Sequence, residues 1–267
     1  MSFLRWAGSK RQLGGILQNC WHAAQGAGGN GRYIETFCGS ASLFFHIRPN
    51  DGILLDVNRA LVECFEVVKN TPIKLATTLS EFETGQDYYY SLRARDVTEL
   101  TKVERAARFI YLNRFCFNGL YRTNQAGHFN VPYGAGRSGE LPSLELLRDC
   151  SRLLKNVELR CADFASIAAE IIPGDFVYLD PPYAKRNHSL DLQYGPDVFG
   201  VSDLSRVGEM LRMIDGRGAF FVFSYVLCDE IAAIARDWTS FPVEVKRTIA
   251  ANASKRLKLT EVLISNI

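Results

Sequence analysis

Four consecutive residues with side chains suited to chemistry follow a short apolar run in this 267-residue chain: Asp180, Pro181, Pro182 and Tyr183. The run at 176–179 predicts a buried parallel strand that stops at Asp180. Two prolines fix φ twice and remove two N–H donors, so a carboxylate, a carbonyl and an aromatic face lie side by side. That set suits a flat ring bearing an NH2 group. Asp-Pro-Pro is also ordinary turn chemistry, and the four residues alone do not decide between the two interpretations.

Strands and helices alternate around these four residues. Apolar runs predict strands at 32–37, 52–56, 157–161, 176–179 and 219–224, and a final pair at 243–245 and 261–264. Helices are predicted from about residue 41, at 202–215, and through most of 59–154, where a loop at 118–142 is rich in Gly, Asn and Pro. The sequence therefore predicts an α/β fold with a doubly wound, mostly parallel sheet and a helical insertion. Ligands are expected at the carboxyl ends of the strands.

Composition and charge narrow the class of protein. The seven cysteines and four histidines form no C-x-x-C pair, zinc spacing or H-E-x-x-H pattern, so we expect no metal and reduced cysteines. No apolar stretch reaches membrane-spanning length, and no signal peptide is apparent. The net charge is only +2, but residues 88–137 contain eight Lys/Arg and three Asp/Glu. This basic middle suits a polyanion, and equally a solvated helical face.

A second candidate site lies at the first two predicted strands. Gly39, within the turn at 37–41, allows close backbone approach of a ligand before a helix N-terminus, although many α/β proteins have a glycine there for packing. Asp56 ends the next strand, where a ribose diol is usually bound. The chain lacks G-x-G-x-x-G, which argues against a dinucleotide. A sulfonium cofactor carries positive charge and no phosphate, and would tolerate a pocket lined by Glu35, Phe37, Asp56 and Asp180.

Seven segments carry a resemblance to a known family: FLRWAGSK at 3–10, FCGSA at 37–41, LDVN at 55–58, NRFCFNGLYR at 113–122, FNVPYG at 129–134, ADF at 162–164 and DPPY at 180–183. In these segments, and in their order, the chain resembles the Dam family of DNA adenine-N6 methyltransferases, the D12 class with the DPPY motif. The resemblance covers nearly the whole chain. It implies a Rossmann-like methyltransferase fold, with a catalytic domain at 1–58 and 155–267 and a mostly helical DNA target-recognition domain at 59–154.

The resemblance also implies a reaction and its residues. A methyl group would pass from S-adenosylmethionine to N6 of a flipped adenine in duplex DNA, within GATC. Asp180 and the Pro181 carbonyl would accept the hydrogens of the target amino group, with Pro182 completing the motif and Tyr183 stacking on the base. The residues implied for the cofactor are Trp6 and Lys10, Phe37, Cys38 and Gly39, Asp56 at the ribose, Asp163 and Phe164 at the adenine, and Asp180. Ala41 stands where family members often have a second glycine, and we expect only a small effect on affinity.

Further residues match positions that contact DNA in the family. Arg122 is a candidate for a bidentate guanine contact, and Arg5 for an earlier base of the site. Phe117 is a candidate wedge at the position of the flipped base, although a place in the core explains it nearly as well. Asn118, Leu120 and Pro132 match positions that approach the target. Lys255 and Arg256, in a basic loop between the last two strands, suit a sequence-blind backbone clamp.

Three alternatives stay open at this stage. An RNA adenine methyltransferase could use a similar tetrapeptide, although it would not need the loop at 117–133. A protein-amide methyltransferase usually has Asn in the first position of the tetrapeptide. A DNA-binding regulator could keep the fold and lose the chemistry, although every matched cofactor position is chemically competent. For the methyltransferase we expect a monomer that acts in the cytoplasm, on a bacterial nucleoid or in a phage-infected cell.

Overall fold

The structure is a computed structural model that describes residues 2–135, 139–184, 199–245 and 259–267. The candidate clamp residues Lys255 and Arg256 lie outside the described residues, so their role stays a prediction. Within the described part of the chain, the helices are α1 (Gly14–Gly26), α2 (Ser42–Ile47), α3 (Arg59–Asn70), α4 (Pro72–Ser80), α5 (Gln86–Ala94), α6 (Lys102–Phe115), α7 (Leu144–Leu154), α8 (Val201–Gly216) and α9 (Asp229–Ile234). The strands are β1 (Tyr33–Glu35), β2 (Gly52–Asp56), β3 (Val157–Cys161), β4 (Phe176–Leu179), β5 (Phe220–Val226), β6 (Thr239–Val245) and β7 (Leu259–Ser265).

These strands form one mixed sheet in the order β3-β2-β1-β4-β5-β7-β6. The first five are parallel, and β7 runs antiparallel to both β5 and β6. The predicted α/β fold with a mostly parallel sheet is confirmed. Strand β1 lies between β2 and β4, so the chain reverses its winding direction beside β1, where open α/β sheets bind ligands.

The central strands are buried on both faces, which explains why they appear in the sequence as continuous apolar runs. Tyr33 and Phe176 point to one face, where Trp21 of α1 packs edge-on against both rings at 5.6 and 5.2 Å between centroids. Ile34 and Val177 point to the other face and join a core formed with α8 and α9. The period-two alternation of the strands thus supplies two separate cores.

Helix α3 begins directly after β2 because Asn58 caps it: the Asn58 side chain accepts a hydrogen bond from Leu61 N at 3.2 Å. Most of its buried residues, including Leu61 and Phe65, belong to the same core as Tyr33 and Phe176. Helix α3 lies in the segment predicted to be the target-recognition domain, yet it shares the core of the sheet. The division into a catalytic domain and a target-recognition domain at 58/59 stays a prediction.

Helices α5 and α6 have a smaller core of their own with the loop that follows them. Tyr89, Tyr111, Phe115 and Val131 are buried together there, and the Tyr89 hydroxyl donates to the Val131 carbonyl at 2.9 Å. A capping box fixes the start of α6: Glu104 N donates to Thr101 Oγ1, and Thr101 N donates to the Glu104 carboxylate. The loop that carries the candidate DNA contacts is therefore held on a packed helical base.

Candidate active site at the carboxyl ends of the strands

The turn after β1 is joined to the two neighbouring strands at the edge where both end. Thr36 N donates to the carbonyl of Tyr178 in β4 at 3.2 Å, and Cys38 N donates to the carbonyl of Leu55 in β2 at 2.8 Å. Asp56 is the last residue of β2, and Asp180 follows β4 directly. The strand pairing therefore brings the two candidate carboxylates, 124 positions apart in the sequence, to one edge of the sheet.

Asp180 lies in a pocket with a cation and a hydroxyl. Its Oδ1 accepts from Lys10 Nζ at 2.7 Å and from Ser224 Oγ at 2.9 Å. Tyr178 extends this chain, because its hydroxyl lies 3.3 Å from Ser224 Oγ. Burial raises the pKa of Asp180, and the Lys10 ammonium and the Ser224 hydroxyl oppose that rise. Asp180 is thus an oriented acceptor, held in place from two sides.

Tyr183 is oriented through its hydroxyl and its ring. The hydroxyl donates to Glu261 Oε1 at 2.5 Å, and the ring meets Tyr225 edge-on at 5.3 Å between centroids. The Tyr225 hydroxyl also accepts from Ala184 N at 2.6 Å, which fixes the backbone just after the motif. The aromatic face at the end of the tetrapeptide is therefore supported by both β5 and β7.

The turn at 36–41 needs the glycine at position 39. Gly39 has φ of +47°, and an added Cβ would lie 2.7 Å from the indole nitrogen of Trp6. Asp56 anchors this turn, since its Oδ2 accepts from Gly39 N at 3.0 Å and its Oδ1 accepts from Asn58 N at 2.9 Å. Burial raises the pKa of Asp56, and these two backbone donors oppose the rise. Burial also raises the pKa of the Cys38 thiol, so Cys38 is no thiolate nucleophile.

Ala41 does not sit inside the helix that follows the turn. It is the residue before α2 and has left-handed φ and ψ of 48° and 37°. An L-residue with a Cβ is strained there by about 1–2 kcal/mol, which a second glycine would relieve. The Ala41 methyl is fully buried and recovers about 0.8 kcal/mol of that cost. Alanine at position 41 is thus a compromise between backbone strain and burial, and the small effect on affinity expected from the sequence stays a prediction.

An aromatic cluster flanks the same edge on the side of β2. Phe37 stacks with Phe164 at 5.0 Å between centroids and meets Phe199 edge-on at 5.8 Å. The guanidinium of Arg206 lies 4.7 Å from the centroid of the Phe164 ring and pairs with Asp163. Asp163 also caps the 3-10 segment after it by accepting from Ala165 N at 2.9 Å. These residues form a mainly aromatic cluster near Asp56, in which Phe164 and Phe199 are buried.

Comparison with known proteins assigns the family. The family model of the D12 class N6 adenine-specific DNA methyltransferases matches residues 6–249. This chain belongs to that family. It is 32% identical to the type II methyltransferase M1.LlaDCHI of Lactococcus lactis subsp. cremoris, over 99% of this chain and 94% of that protein. It is 32% identical to the type II methyltransferase M.MjaIII of Methanocaldococcus jannaschii, over 99% and 98%, and 30% identical to the DNA adenine methylase of Serratia marcescens, over 98% and 97%.

The family makes the protein an adenine-specific DNA methyltransferase, so a methyl donor and a DNA substrate follow from it. No helix in the described residues has the length and apolar character needed to cross a membrane. Within the same residues, no group of three or more His, Cys, Asp and Glu side chains could hold a metal ion.

Among the described residues, the candidate DNA contacts of this methyltransferase lie in or next to the loop after α6. Residues 122 and 130 face each other across a hairpin-like turn, in which Asn130 N donates to the Arg122 carbonyl at 3.1 Å. Across it, Arg122 Nε donates to Asn130 Oδ1 at 2.8 Å. Phe117 N donates to the Pro132 carbonyl at 2.9 Å. Phe117 and Leu120 are half-buried against the core of α5 and α6, and Asn118 between them has φ of +55°.

Arg5 lies next to this loop although it is more than 100 residues away in the sequence. Its backbone is clamped by the buried Asn113 amide, which accepts from Arg5 N at 2.8 Å and donates to the Arg5 carbonyl at 2.5 Å. The Arg5 guanidinium donates to the Arg114 carbonyl at 3.1 Å. Burial, and then the charges of Arg5 and Arg11, lower the pKa of Arg114, which places three arginines in one region. A compact basic area thus borders the loop.

Trp6 lies between the candidate cofactor residues and the loop that carries the candidate DNA contacts. Its ring stacks on Tyr121 at 5.9 Å between centroids and covers Gly39. Ser224 and Glu261 contact the candidate catalytic residues but were not predicted as site residues from the sequence. The one signal for Glu261 is a carboxylate at the start of the apolar strand run at 261–264, since a buried charge in a strand requires a partner.

Proposed function

We propose that this enzyme transfers a methyl group from S-adenosylmethionine to N6 of an adenine in duplex DNA, with the target base held at Asp180 to Tyr183. The observation that carries the proposal is the buried Asp180 carboxylate at the end of β4, beside an oriented tyrosine and across the sheet edge from Asp56. One chain supplies every residue that this chemistry needs, so the proposed working form is a monomer. Its place in the cell would be the bacterial nucleoid or the DNA of a phage-infected cell.

The residues at the β1 and β2 ends fit the proposed cofactor. Each carboxylate oxygen of Asp56 accepts one backbone hydrogen bond and has a second lone pair for a ribose hydroxyl. Gly39 lets the main chain approach the methionine portion together with Cys38 and Phe37, while Trp6 and Lys10 line the N-terminal side. Phe164, which is buried in contact with Phe37 and the Arg206 guanidinium, is the proposed packing residue for the adenine ring, and Asp163 the proposed acceptor for its amino group. When bound, S-adenosylmethionine supplies a methyl group activated by the sulfonium charge.

The residues of this chain must make the N6 nitrogen of the target adenine more nucleophilic. The N6 lone pair of adenine is delocalised into the ring, which makes it a poor nucleophile. Asp180 and the Pro181 carbonyl accept its two hydrogens and so favour a more tetrahedral nitrogen with a localised lone pair. The Asp180 carboxylate also stabilises the positive charge that develops on nitrogen, as preoriented groups do in a site from which water is excluded. Tyr183 stacks on the ring and fixes its angle toward the incoming methyl group.

The target atom is inaccessible in a stacked duplex, so the base must leave the helix. Unstacking costs a few kcal/mol, of which stacking on Tyr183 recovers a part. Phe117 is the proposed wedge at the vacated position, because its half-buried ring sits at the tip of α6 beside Asn118 and Leu120. Lys255 and Arg256 are proposed backbone contacts, on the charge of their sequence segment alone.

GATC is the proposed recognition sequence, read by Arg122 and Arg5 with Pro132 near the target. Asn130 holds the Arg122 guanidinium by its Nε, and such fixed orientation is what a bidentate contact to guanine O6 and N7 requires.

Replacing Arg122 with alanine should therefore relax discrimination at one guanine by about 1–3 kcal/mol, or roughly 5- to 150-fold in the ratio of rates. Methylation rates on duplexes with each base of GATC changed in turn measure this ratio. R122K keeps the charge but loses the paired N–H donors of the planar guanidinium, so it should also relax discrimination at that guanine. R148A, which removes a charge from the exposed face of α7, is the matched control. Uniform weakening on every duplex would make Arg122 a phosphate contact.

The direct test of the proposed function is to incubate the purified protein with S-adenosylmethionine and unmethylated genomic DNA, and to map N6-methyladenine at single-base resolution. Methylation confined to GATC is the expected result. Methylation at another adenine-containing motif would contradict the assigned site and leave the reaction intact. Cofactor binding without DNA methylation would favour an RNA substrate, and the absence of both would favour an inactive DNA-binding regulator.

A further inference from the structure

A buried ammonium group lies between two buried carboxylates at the centre of the candidate active site. Lys10 Nζ is 2.7 Å from Asp180 Oδ1 and 3.6 Å from Glu261 Oε2. The three side chains are 7%, 19% and 3% exposed, respectively. The Lys10 ammonium also lies near the aromatic residue of the tetrapeptide, 6.0 Å from the centroid of the Tyr183 ring. Lysine, two acids and the tyrosine therefore form one connected group from three separate parts of the chain.

The shorter of the two ion pairs conflicts with the proposed reaction. Asp180 Oδ1 already accepts from Lys10 and from Ser224, whereas no described residue donates to Asp180 Oδ2. A target amino group bound at Oδ2 alone would leave Lys10 in place. A target amino group bound at Oδ1 displaces a donor, and Lys10 then gives up its bond to Asp180. A buried ammonium cannot be left without a partner, because an uncompensated buried charge costs several kcal/mol. Lys10 Nζ also donates to the Gly8 carbonyl at 3.4 Å, but that neutral group does not balance its charge, so a second carboxylate is needed within reach of Lys10.

Glu261 can be the second acceptor for Lys10, because one of its carboxylate oxygens lies close to the ammonium and accepts no hydrogen bond from the described residues. Its Oε1 accepts from the Tyr183 hydroxyl, whereas its buried Oε2 has no hydrogen-bond partner among the described residues. Moving Lys10 Nζ by less than about 1 Å would convert the 3.6 Å separation into a charge-assisted hydrogen bond. Glu261 itself is fixed, because it pairs with Val226 and Val243 in the antiparallel strands on either side of β7.

We propose that Glu261 is a positioning residue that receives the Lys10 ammonium when the target amino group binds Asp180, and that holds Tyr183 by its hydroxyl throughout. This rests on the proposed role of Asp180. No covalent bond is made or broken in the exchange and the net charge of the group is constant. The cost of breaking the hydrogen bond from Lys10 to Asp180 is offset by the new hydrogen bond from Lys10 to Glu261. Lys10 thus keeps Asp180 partnered before the base arrives.

The substitution Glu261→Gln separates the two parts of this role. Glutamine keeps an oxygen that accepts from Tyr183 and loses the charge that would receive Lys10. Methyl transfer in a single turnover should slow by at least about tenfold, since removing one charge of a buried charge group leaves the other charge uncompensated. The same substitution made in a Lys10→Met protein should slow transfer by less than about threefold relative to Lys10→Met alone. That background has no ammonium to displace.

A purely structural role for Glu261 would slow both backgrounds equally, and that result would overturn the inference. The matched control is Glu209→Gln on the exposed face of α8, which removes the same charge outside the site. Cofactor binding by calorimetry, measured on each protein, separates loss of transfer from loss of the cofactor.

A second measurement uses the free proteins and requires no reaction. In urea unfolding of wild type, E261Q, K10M and the double variant, the effects of the two single changes on the unfolding constant should be non-additive by at least about threefold. Additive effects would overturn the inference even if no substrate were known. A wild type that methylates no adenine would refute the proposed function, whereas an active wild type with equal E261Q losses in both backgrounds would refute only the role of Glu261.

Discussion

Replacing Asp180 with alanine is expected to reduce methyl transfer to adenine by at least about 100-fold while the protein still binds duplex DNA. The physical reason is that Asp180 acts on the reacting nitrogen and not on the DNA backbone. Its carboxylate is the only negative group of the tetrapeptide at 180–183, and burial strengthens its effect on a developing charge. Loss of its side chain leaves the carbonyl of Pro181 as a single neutral acceptor.

The isosteric variant Asp180→Asn refines this expectation. Asparagine keeps an oxygen that can accept one amino hydrogen, so the loss should lie between those of wild type and the alanine variant. Single-turnover rates with saturating cofactor, combined with a filter-binding or anisotropy measurement on the same duplex, separate chemistry from affinity. Asp149→Ala removes a surface carboxylate from α7 and serves as the control. A near-normal rate for the alanine variant would refute the catalytic assignment of Asp180.

The bounds of the central strands β2 and β4 could be predicted from the sequence for a definite reason, whereas β6, predicted at 243–245, begins at Thr239. Strands β2 and β4 are buried on both faces and are bounded by polar or proline residues, so their apolar runs at 52–56 and 176–179 coincide with the strands observed. Strand β1 is shorter than predicted, at Tyr33–Glu35 within 32–37, because the chain leaves the sheet early to form the turn over Asp56.

The contacts that orient the site could not be predicted in the same way. The Lys10–Asp180 pair spans 170 positions and the Tyr183–Glu261 bond spans 78, and no local period or turn signal reports such a pairing. Strand β7 shows why: the sequence predicts a strand at 261–264, but only its insertion between β5 and β6 carries Glu261 to the active site. Position 41 is similar, since left-handed geometry at an alanine follows from the fold and not from the residue type.

Glu35 offers a prediction about stability that is independent of any substrate. It lies at the end of β1, is 3% exposed, and its Oε1 accepts hydrogen bonds from the Tyr33 hydroxyl and from Phe44 N in α2. Burial raises its pKa to about 8, opposed by these two donors and aided by the nearby charge of Asp180. Glu35 is therefore mostly protonated in the folded protein at neutral pH, whereas in the unfolded chain it ionises near its ordinary pKa of 4.5.

The sign of the effect follows from the protons bound in each state. Between pH 4.5 and about 8 the folded protein holds a proton on Glu35 that the unfolded chain has lost, so raising the pH favours unfolding. The stabilisation from Glu35 is complete below pH 4.5 and is lost as the pH rises toward 8. Within this window the contribution of Glu35 to the free energy of unfolding should fall by up to about 1.4 kcal/mol for each pH unit.

The variant Glu35→Gln isolates this contribution. Glutamine keeps an oxygen to accept from Tyr33 and Phe44 and cannot ionise, so the fold should be retained and the stability of the variant should depend less steeply on pH. In urea unfolding of both proteins at about pH 5.5, 6.5, 7.5 and 8.5, the free energy of unfolding of the variant should rise relative to that of wild type at each step. The free energy of unfolding of Glu209→Gln, a change at an exposed position, should depend on pH as that of wild type does.

The same pH dependence for Glu35→Gln as for wild type would mean that Glu35 is ionised in the folded protein. The Tyr33 and Phe44 donors would then outweigh its burial, and β1 would end on a charge only a short distance from Asp180.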